Sequence, residues 1–333
     1  MMRLVAALLF ICLAGPAVTA AEITYIGHIK RENAPGAAPR GQFEDYRLSG
    51  PIEEGDLEKV KKIVRKNDYR PRRLNLDSPG GSFIEAAEIA NFVWDNGITT
   101  LVNARRNCLS ACAIIFMSGS IFDGDNYHPP NRYLHVLGRL GFHAPFINPE
   151  QLGDVPAGKA AELAVLTYKT ALTAATKFLE LSHKSKWPSS LVEALLKVQS
   201  ARKFIEIDTV DKAGRWHISL FGYRPLRFNR FMPPHICRNA VYWKTGRTSA
   251  SPQAYRESGF DKNSYKEFVR NVNKSQIRYV YTNLGMDGYN CTVSLDTRAE
   301  KIDFRLMIGE QLTYAPDIAI FSPRTRLKDI AVK

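Results

Sequence analysis

Between residues 42 and 119 the chain switches repeatedly between the period of a strand and that of a helix, and this alternation narrows the possible folds most. Residues 42–48 read as a short strand and 55–67 as a helix with Leu57, Val60 and Val64 on one face. Residues 73–77 read as a strand, and 82–96 as a helix in which Ala86, Ile89, Ala90 and Val93 recur at i, i+3, i+4 and i+7. Gly97 supplies a helix stop, 98–103 is a β-branched strand, and 110–118 is a wholly apolar run suited to a short buried helix. Strands joined through helices in this way run parallel, with right-handed crossovers and helices packed on the sheet. An α/β fold with a mainly parallel sheet is therefore expected. With 45% hydrophobic residues the chain has the apolar material for such a core, which excludes a disordered or collagen-like chain.

Residues 123–140, with Gly124, Pro129, Pro130 and Gly138, read as a loop-like insertion before another strand at 140–143. A long helix is expected over 158–183 and a second, started by Pro188, over 188–198. After Gly214 the character changes, and alternation at 279–282, 290–295 and 302–307 suggests a small α+β module. The expected organisation is a leader over 1–20, an N-terminal segment over 21–41, an α/β domain over 42–218 and an appended module over 219–333.

Arg3, the apolar run 4–13, the Gly15-Pro16 breaker and Val18-Thr19-Ala20 have the layout of a secretory signal peptide. The run is too short to span a membrane that needs about 20 apolar residues. Cys12 follows Leu9-Phe10-Ile11, unlike the small residues ahead of a lipoprotein cysteine, so a soluble periplasmic or secreted protein is expected. In an oxidising compartment the remaining cysteines tend to pair. Cys237 and Cys291 share one section of the chain and are expected to form a disulfide; Cys108 and Cys112 are either a local bridge or two buried thiols. The net charge of +13 comes from scattered Lys and Arg. The densest clusters, Lys59 to Lys66 and Arg224 to Arg230, lack the aromatic interleaving of a nucleic-acid site. No nucleic-acid partner is expected, while contact with an anionic envelope surface stays open.

Three segments carry candidate chemistry. Ser78-Pro79-Gly80-Gly81-Ser82 joins a strand to a helix, and its glycines let backbone N–H groups approach a ligand. Ser110, in Cys108-Leu109-Ser110-Ala111-Cys112, stands where a strand meets a buried helix; in isolation it would be an N-cap. His143 precedes Ala144-Pro145 at a strand end. In this order and on these elements, the three segments resemble the ClpP/crotonase superfamily, in particular secreted or periplasmic ClpP-like serine peptidases. The resemblance spans about residues 42–218 and includes 204–214. It implies a ClpP/crotonase-like fold of repeated β-α units, Ser110 as nucleophile and His143 as general base. It also implies an oxyanion and substrate-backbone site built from Gly80, Gly81 and Ala111, a peptide or protein substrate, and a homo-oligomer. Gly81-Ser82-Phe83 would offer an edge to an extended peptide.

One position departs from that pattern: the family's acidic triad member falls on Arg202, which cannot accept the histidine's proton. Glu206, Asp208 or Asp211 would have to substitute, or a Ser-His dyad suffice. The alternative is a catalytically inactive peptide- or envelope-binding protein on the same fold. An acyl-CoA enzyme is disfavoured by secretion, and a thiolate or zinc site from Cys108, Cys112 and His143 by the Cys-x-x-x-Cys spacing, with His128 and His135 in a loop of unknown place. No cofactor or metal is expected. The 123–140 insertion lengthens the serine-to-histidine separation and would serve as a lid or an oligomer contact.

Overall fold

A computed structural model of the chain describes residues 20–30, 42–62, 71–122, 128–143, 158–198, 203–224, 232–244 and most of 266–332, omitting 274, 285–287, 297, 299–300, 309–310 and 314–316. The leader up to residue 19, the helix tail with Val64, Arg65 and Lys66, Ala144-Pro145, Arg202, Arg227 and Arg230 lie outside the described residues. The N-terminal elements are β1 (Glu22–Lys30), β2 (Gln42–Ser49), α1 (Asp56–Lys61), β3 (Arg72–Asp77), α2 (Phe83–Asp95), β4 (Thr99–Val102), β5 (Asn107–Leu109) and α3 (Ala111–Met117). The expected apolar face of α2 is the buried one: Ala86, Ile89, Ala90 and Val93 are each fully buried. Ser82 caps that helix by accepting the Glu85 N–H at 3.3 Å.

The chain continues through β6 (Arg132–His135), β7 (Arg139–Phe142), α4 (Ala160–Lys184), α5 (Ser189–Lys197), β8 (Ile205–Glu206), α6 (Val210–Arg215) and β9 (Ser219–Phe221). Among the described residues the main sheet has the order β1-β2-β3-β4-β6-β9, with every pairing parallel except β1 with β2. The main sheet thus extends on both sides of 42–218, taking in β1 and β9. A smaller sheet, β5-β7-β8, pairs β5 with β7 in parallel and β7 with β8 antiparallel. Together these give a mixed α/β fold built on a mainly parallel sheet.

The loop expected over 123–140 is corrected. Residues 132–135 form β6, between β4 and β9 in the main sheet, and residues 139–140 already belong to β7. An arginine opening a four-residue strand concealed it, because a buried parallel strand ordinarily reads as an unbroken apolar run. Arg132 is only 1% exposed. Its Nη1 donates to the carbonyl of Met117, at the end of α3, and its Nε to that of His217 at 3.0 Å. Thr100 Oγ1 donates to Phe116 O at 2.7 Å, so two side chains take up the terminal carbonyls of a helix whose seven residues are all buried.

His217, in the turn between α6 and β9, has a positive φ of 55°. Burial first, then the charges of Arg132 and Lys244, push its pKa down to about 3. The folded imidazole stays neutral at pH values where the unfolded one takes up a proton, so acid favours the unfolded chain. Stability should therefore fall as pH drops from about 6.5 towards 3, with His217 contributing at most about 1.4 kcal/mol per pH unit. Urea titrations at several pH values should show this acid limb flattened in His217→Asn, asparagine being tolerant of positive φ.

Two ion pairs cross from β2 to β3 in register. Asp45 lies opposite Arg73 and accepts two hydrogen bonds from its guanidinium, at 2.7 and 2.6 Å; both side chains are 2% exposed. Glu44 and Arg72, one residue back, face each other at 3.6 Å, also buried.

The small C-terminal module consists of α7 (Met232–Lys244) and a five-stranded antiparallel sheet: β10 (Lys266–Asn273), β11 (Gln276–Leu284), β12 (Tyr289–Asp296), β13 (Lys301–Ile308) and β14 (Gln311–Thr313). On β12, Tyr289, Cys291, Val293 and Leu295 are buried in strict alternation. Cys237 on α7 and Cys291 on β12 form a disulfide with Cα atoms 5.7 Å apart. Trp243 on α7 packs on Gly214 and donates its Nε1–H to Asp211 at 3.1 Å. Residues 317–332 return to the α/β core: Val210 N–H donates to Thr325 O, Leu327 N–H to Asp208 O, and Arg224 N–H to Ile330 O.

Candidate active site

The Ser78–Ser82 turn is stitched to β5 by Ser78 N–H to Asn107 O (2.7 Å) and Leu109 N–H to Ser78 O (3.1 Å). Both glycines are needed for close approach as well as for positive φ. A Cβ on Gly80 (φ 104°) would lie 2.6 Å from Ser110 Cβ, and one on Gly81 (φ 146°) would lie 2.1 Å from Ile52 O. Gly80 is internally committed, donating to Ser78 Oγ at 3.1 Å and accepting from Ile52 N–H at 2.8 Å. Ser82 N–H returns to Ile52 O at 2.8 Å. Ile52 was invisible as a site residue, because an isolated isoleucine after Gly50-Pro51 carries no signal of pairing. Its pairing also corrects the expected substrate edge, since the N–H of Ser82 is taken and Phe83 is already helical. Gly81 is exposed and, among the described residues, its N–H meets no acceptor.

Ser110 joins β5 to α3 with φ 56° and ψ −125°. A capping serine adopts extended dihedrals and accepts an N–H from the helix's first turn. Ser110 does neither, for its hydroxyl makes no capping hydrogen bond. A non-glycine residue held in such a conformation costs about 1–3 kcal/mol and persists only where its surroundings impose it. Here Ser110 N–H donates to Gly141 O at 2.9 Å, Ala113 N–H donates to Ser110 O at 2.9 Å, and the Cys108–Cys112 disulfide brackets the turn with Cα atoms 5.2 Å apart. That bridge resolves the alternative left open by the sequence. It also removes the thiolate and zinc readings, because both sulfurs are bonded to each other. Ala111, the first residue of α3, is buried beside this turn.

His143 follows directly after β7. Leu109 lies opposite Gly141 in the parallel β5–β7 ladder, so Ser110 and His143 leave the same end of adjacent strands. Strand neighbours are about 4.8 Å apart, which places the two backbones side by side. The imidazole and the Phe204 ring are nearly perpendicular, with centroids 4.9 Å apart. Each carboxylate considered as a third member is engaged elsewhere. Glu206 accepts from Arg139, Asp208 from Lys212 at 2.6 Å, and Asp211 from Trp243, with Arg215 at 3.3 Å.

The arrangement offers a half-buried hydroxyl on a strained turn, an imidazole on the neighbouring strand end and an exposed glycine N–H nearby. Those are the groups that acyl transfer needs: nucleophile, base and oxyanion donor. Among the described residues no group of three or more His, Cys, Asp or Glu side chains could hold a metal ion, and no helix is long and apolar enough to cross a membrane. No family model matches the chain. No curated protein matches it either. Among solved structures it is similar to a ClpP1 mutant from Listeria monocytogenes, with 14% sequence identity and a TM-score of 0.38, over 53% of this chain and 90% of that one. A likeness this distant assigns no role to any residue.

Proposed function

We propose that the chain is an exported ClpP-like serine hydrolase, cleaving a peptide or other acyl bond outside the cytoplasm, with Ser110 as nucleophile and His143 as general base. The N–H groups of Gly81 and Ala111 hold the oxyanion. The observation that carries this reading is the backbone of Ser110: a positive-φ serine whose hydroxyl caps nothing has been held in strain for something other than its helix. Export, with cleavage after Ala20, is supported by the two disulfides, which suit an oxidising compartment. A homo-oligomer is supported by Val165, Leu166, Tyr168 and Leu172, exposed on α4.

The engagement of Glu206, Asp208 and Asp211 with other partners favours the second reading, a binding protein on the same scaffold. A fluorophosphonate probe separates the two. Attack by Ser110 Oγ forms an O–P bond, fluoride leaves and His143 takes the hydroxyl proton. Peptide mapping should find the adduct on Ser110 and its loss in His143→Ala; folded protein that takes up no probe would establish the binding reading instead.

A further inference from the structure

The geometry points to Ala21 as the first residue of the processed protein, with its α-ammonium received by the buried carboxylate of Asp56 in an ion pair that holds the Gly80-Gly81 turn in place. The inference rests on the export reading of the leader and not on any chemistry at Ser110.

A residue close to a chain terminus is normally frayed unless something ties it down. Ala21 is 1% exposed and is clamped at both ends of its backbone. Its nitrogen donates to Asp56 Oδ2 at 3.2 Å, and its carbonyl accepts from Lys59 Nζ at 2.8 Å. Asp56 is also 1% exposed. Its Oδ1 takes Lys59 Nζ at 2.7 Å, and its Oδ2 is shared between Ala21 and the Glu53 N–H at 2.9 Å. The bond before Ala21 is where Val18-Thr19-Ala20 puts the small residues that a signal peptidase reads. Ala20 is half-exposed, and a cleft of about 570 Å³ lined by Ala20, Tyr25, Tyr46 and Lys62 opens beside it.

Cleavage of the Ala20–Ala21 peptide bond by a processing endopeptidase consumes one water. The C–N bond breaks, Ala20 leaves with a carboxylate that holds the water oxygen, and the Ala21 nitrogen takes up both water protons to become an ammonium. That nitrogen already lies against Asp56, so processing replaces a neutral peptide donor by a full positive charge without requiring the backbone to move. Hydrogen bonds between charged groups are about twice as strong as neutral ones, and stronger still where water is excluded.

The consequence reaches the candidate site through three residues. Asp56 fixes the N–H of Glu53; Glu53 follows Ile52; and Ile52 donates to Gly80 O and accepts from Ser82 N–H, both at 2.8 Å. Asp56 thus braces the segment that pairs with the Gly80-Gly81 turn.

The test uses the full exported chain. Protein recovered after secretion with its own leader should begin at Ala21 by N-terminal sequencing. A second protein, with a leader whose removal leaves Gly-Ser ahead of Ala21, keeps a peptide nitrogen there and should unfold at a Tm lower by at least about 4 °C. Asp56→Asn should lower Tm more in the processed protein than in the extended one, because only the former has an ammonium to lose. Should Asp56→Asn fail to fold, the extended protein alone decides. A first residue other than Ala21, an unchanged Tm in the extended protein, or equal losses in both backgrounds would overturn the inference. A chain that shows these Tm differences but never labels at Ser110 would refute the hydrolase reading and leave this one standing.

Discussion

Ser110→Ala and His143→Ala should each lower hydrolysis of an activated ester or peptide substrate by about 10⁴-fold or more, and the double variant should be no worse than either alone. The non-additivity is the informative part. A hydroxyl that attacks and an imidazole that takes its proton work as one unit, so the second loss removes nothing further. On the proposed mechanism, what would remain is the contribution of the Gly81 and Ala111 N–H donors. Burst kinetics on wild type and the three variants supply the measurement. Multiplying losses would show that the two residues act separately and that His143, packed against Phe204, is not the base for Ser110. Thermal unfolding of Ser110→Ala provides an internal control. Alanine keeps the Cβ and hence the backbone strain, and the hydroxyl it removes caps nothing, so Tm should stay within a few degrees of wild type, whereas a destabilised fold would lose activity for the wrong reason.

The largest effect on stability is expected at the β2–β3 pair. Asp45→Ala leaves the Arg73 guanidinium, 2% exposed, without the carboxylate that accepts two of its hydrogen bonds. Removing one member of a buried pair costs about 3–5 kcal/mol, because the surviving charge has lost its compensation. Arg73→Met in the Asp45→Leu background should recover most of that loss, since an apolar pair of similar size carries no desolvation penalty. Chemical denaturation of the three variants decides the matter. If Asp45→Ala is as stable as wild type, water has reached Arg73 and the pair is not buried in solution.

Neither the ion pairs nor the strained turn at Ser110 was legible in the sequence, and the reasons differ. Helix α2 was readable because Ala86, Ile89, Ala90 and Val93 obey the helical period and all are buried. On β2, Glu44 and Asp45 are adjacent charges that point to opposite faces, so alternation would turn one of them towards water, and only the register with Arg72 and Arg73 explains the burial of both. Strand β6 was missed because Arg132 answers to the end of α3, which is set by tertiary packing and not by local pattern. The order of Gly80-Gly81, Ser110 and His143 was visible, and the fold brings the three to neighbouring strand ends. The uncapped hydroxyl of Ser110 was not visible, since a capping serine and a strained one have the same sequence. Asp56 was hidden for the same kind of reason: it reads as an ordinary acidic residue opening a helix, and its partner Ala21 lies 35 positions away.

The return of residues 317–332 to the α/β core bears on the order in which the fold can be completed. Thr325, Leu327 and Ile330 bond to Val210, Asp208 and Arg224, residues that precede them by about a hundred positions in the sequence. Contacts of such separation close large loops, so they are costly to form early and slow the search for the native state. A chain emerging N-terminus first would hold α6 and β9 without these partners until the antiparallel sheet had passed. The Cys237–Cys291 crosslink shortens the path between the two ends of that detour, making oxidation a step that hastens closure as well as one that holds the finished module.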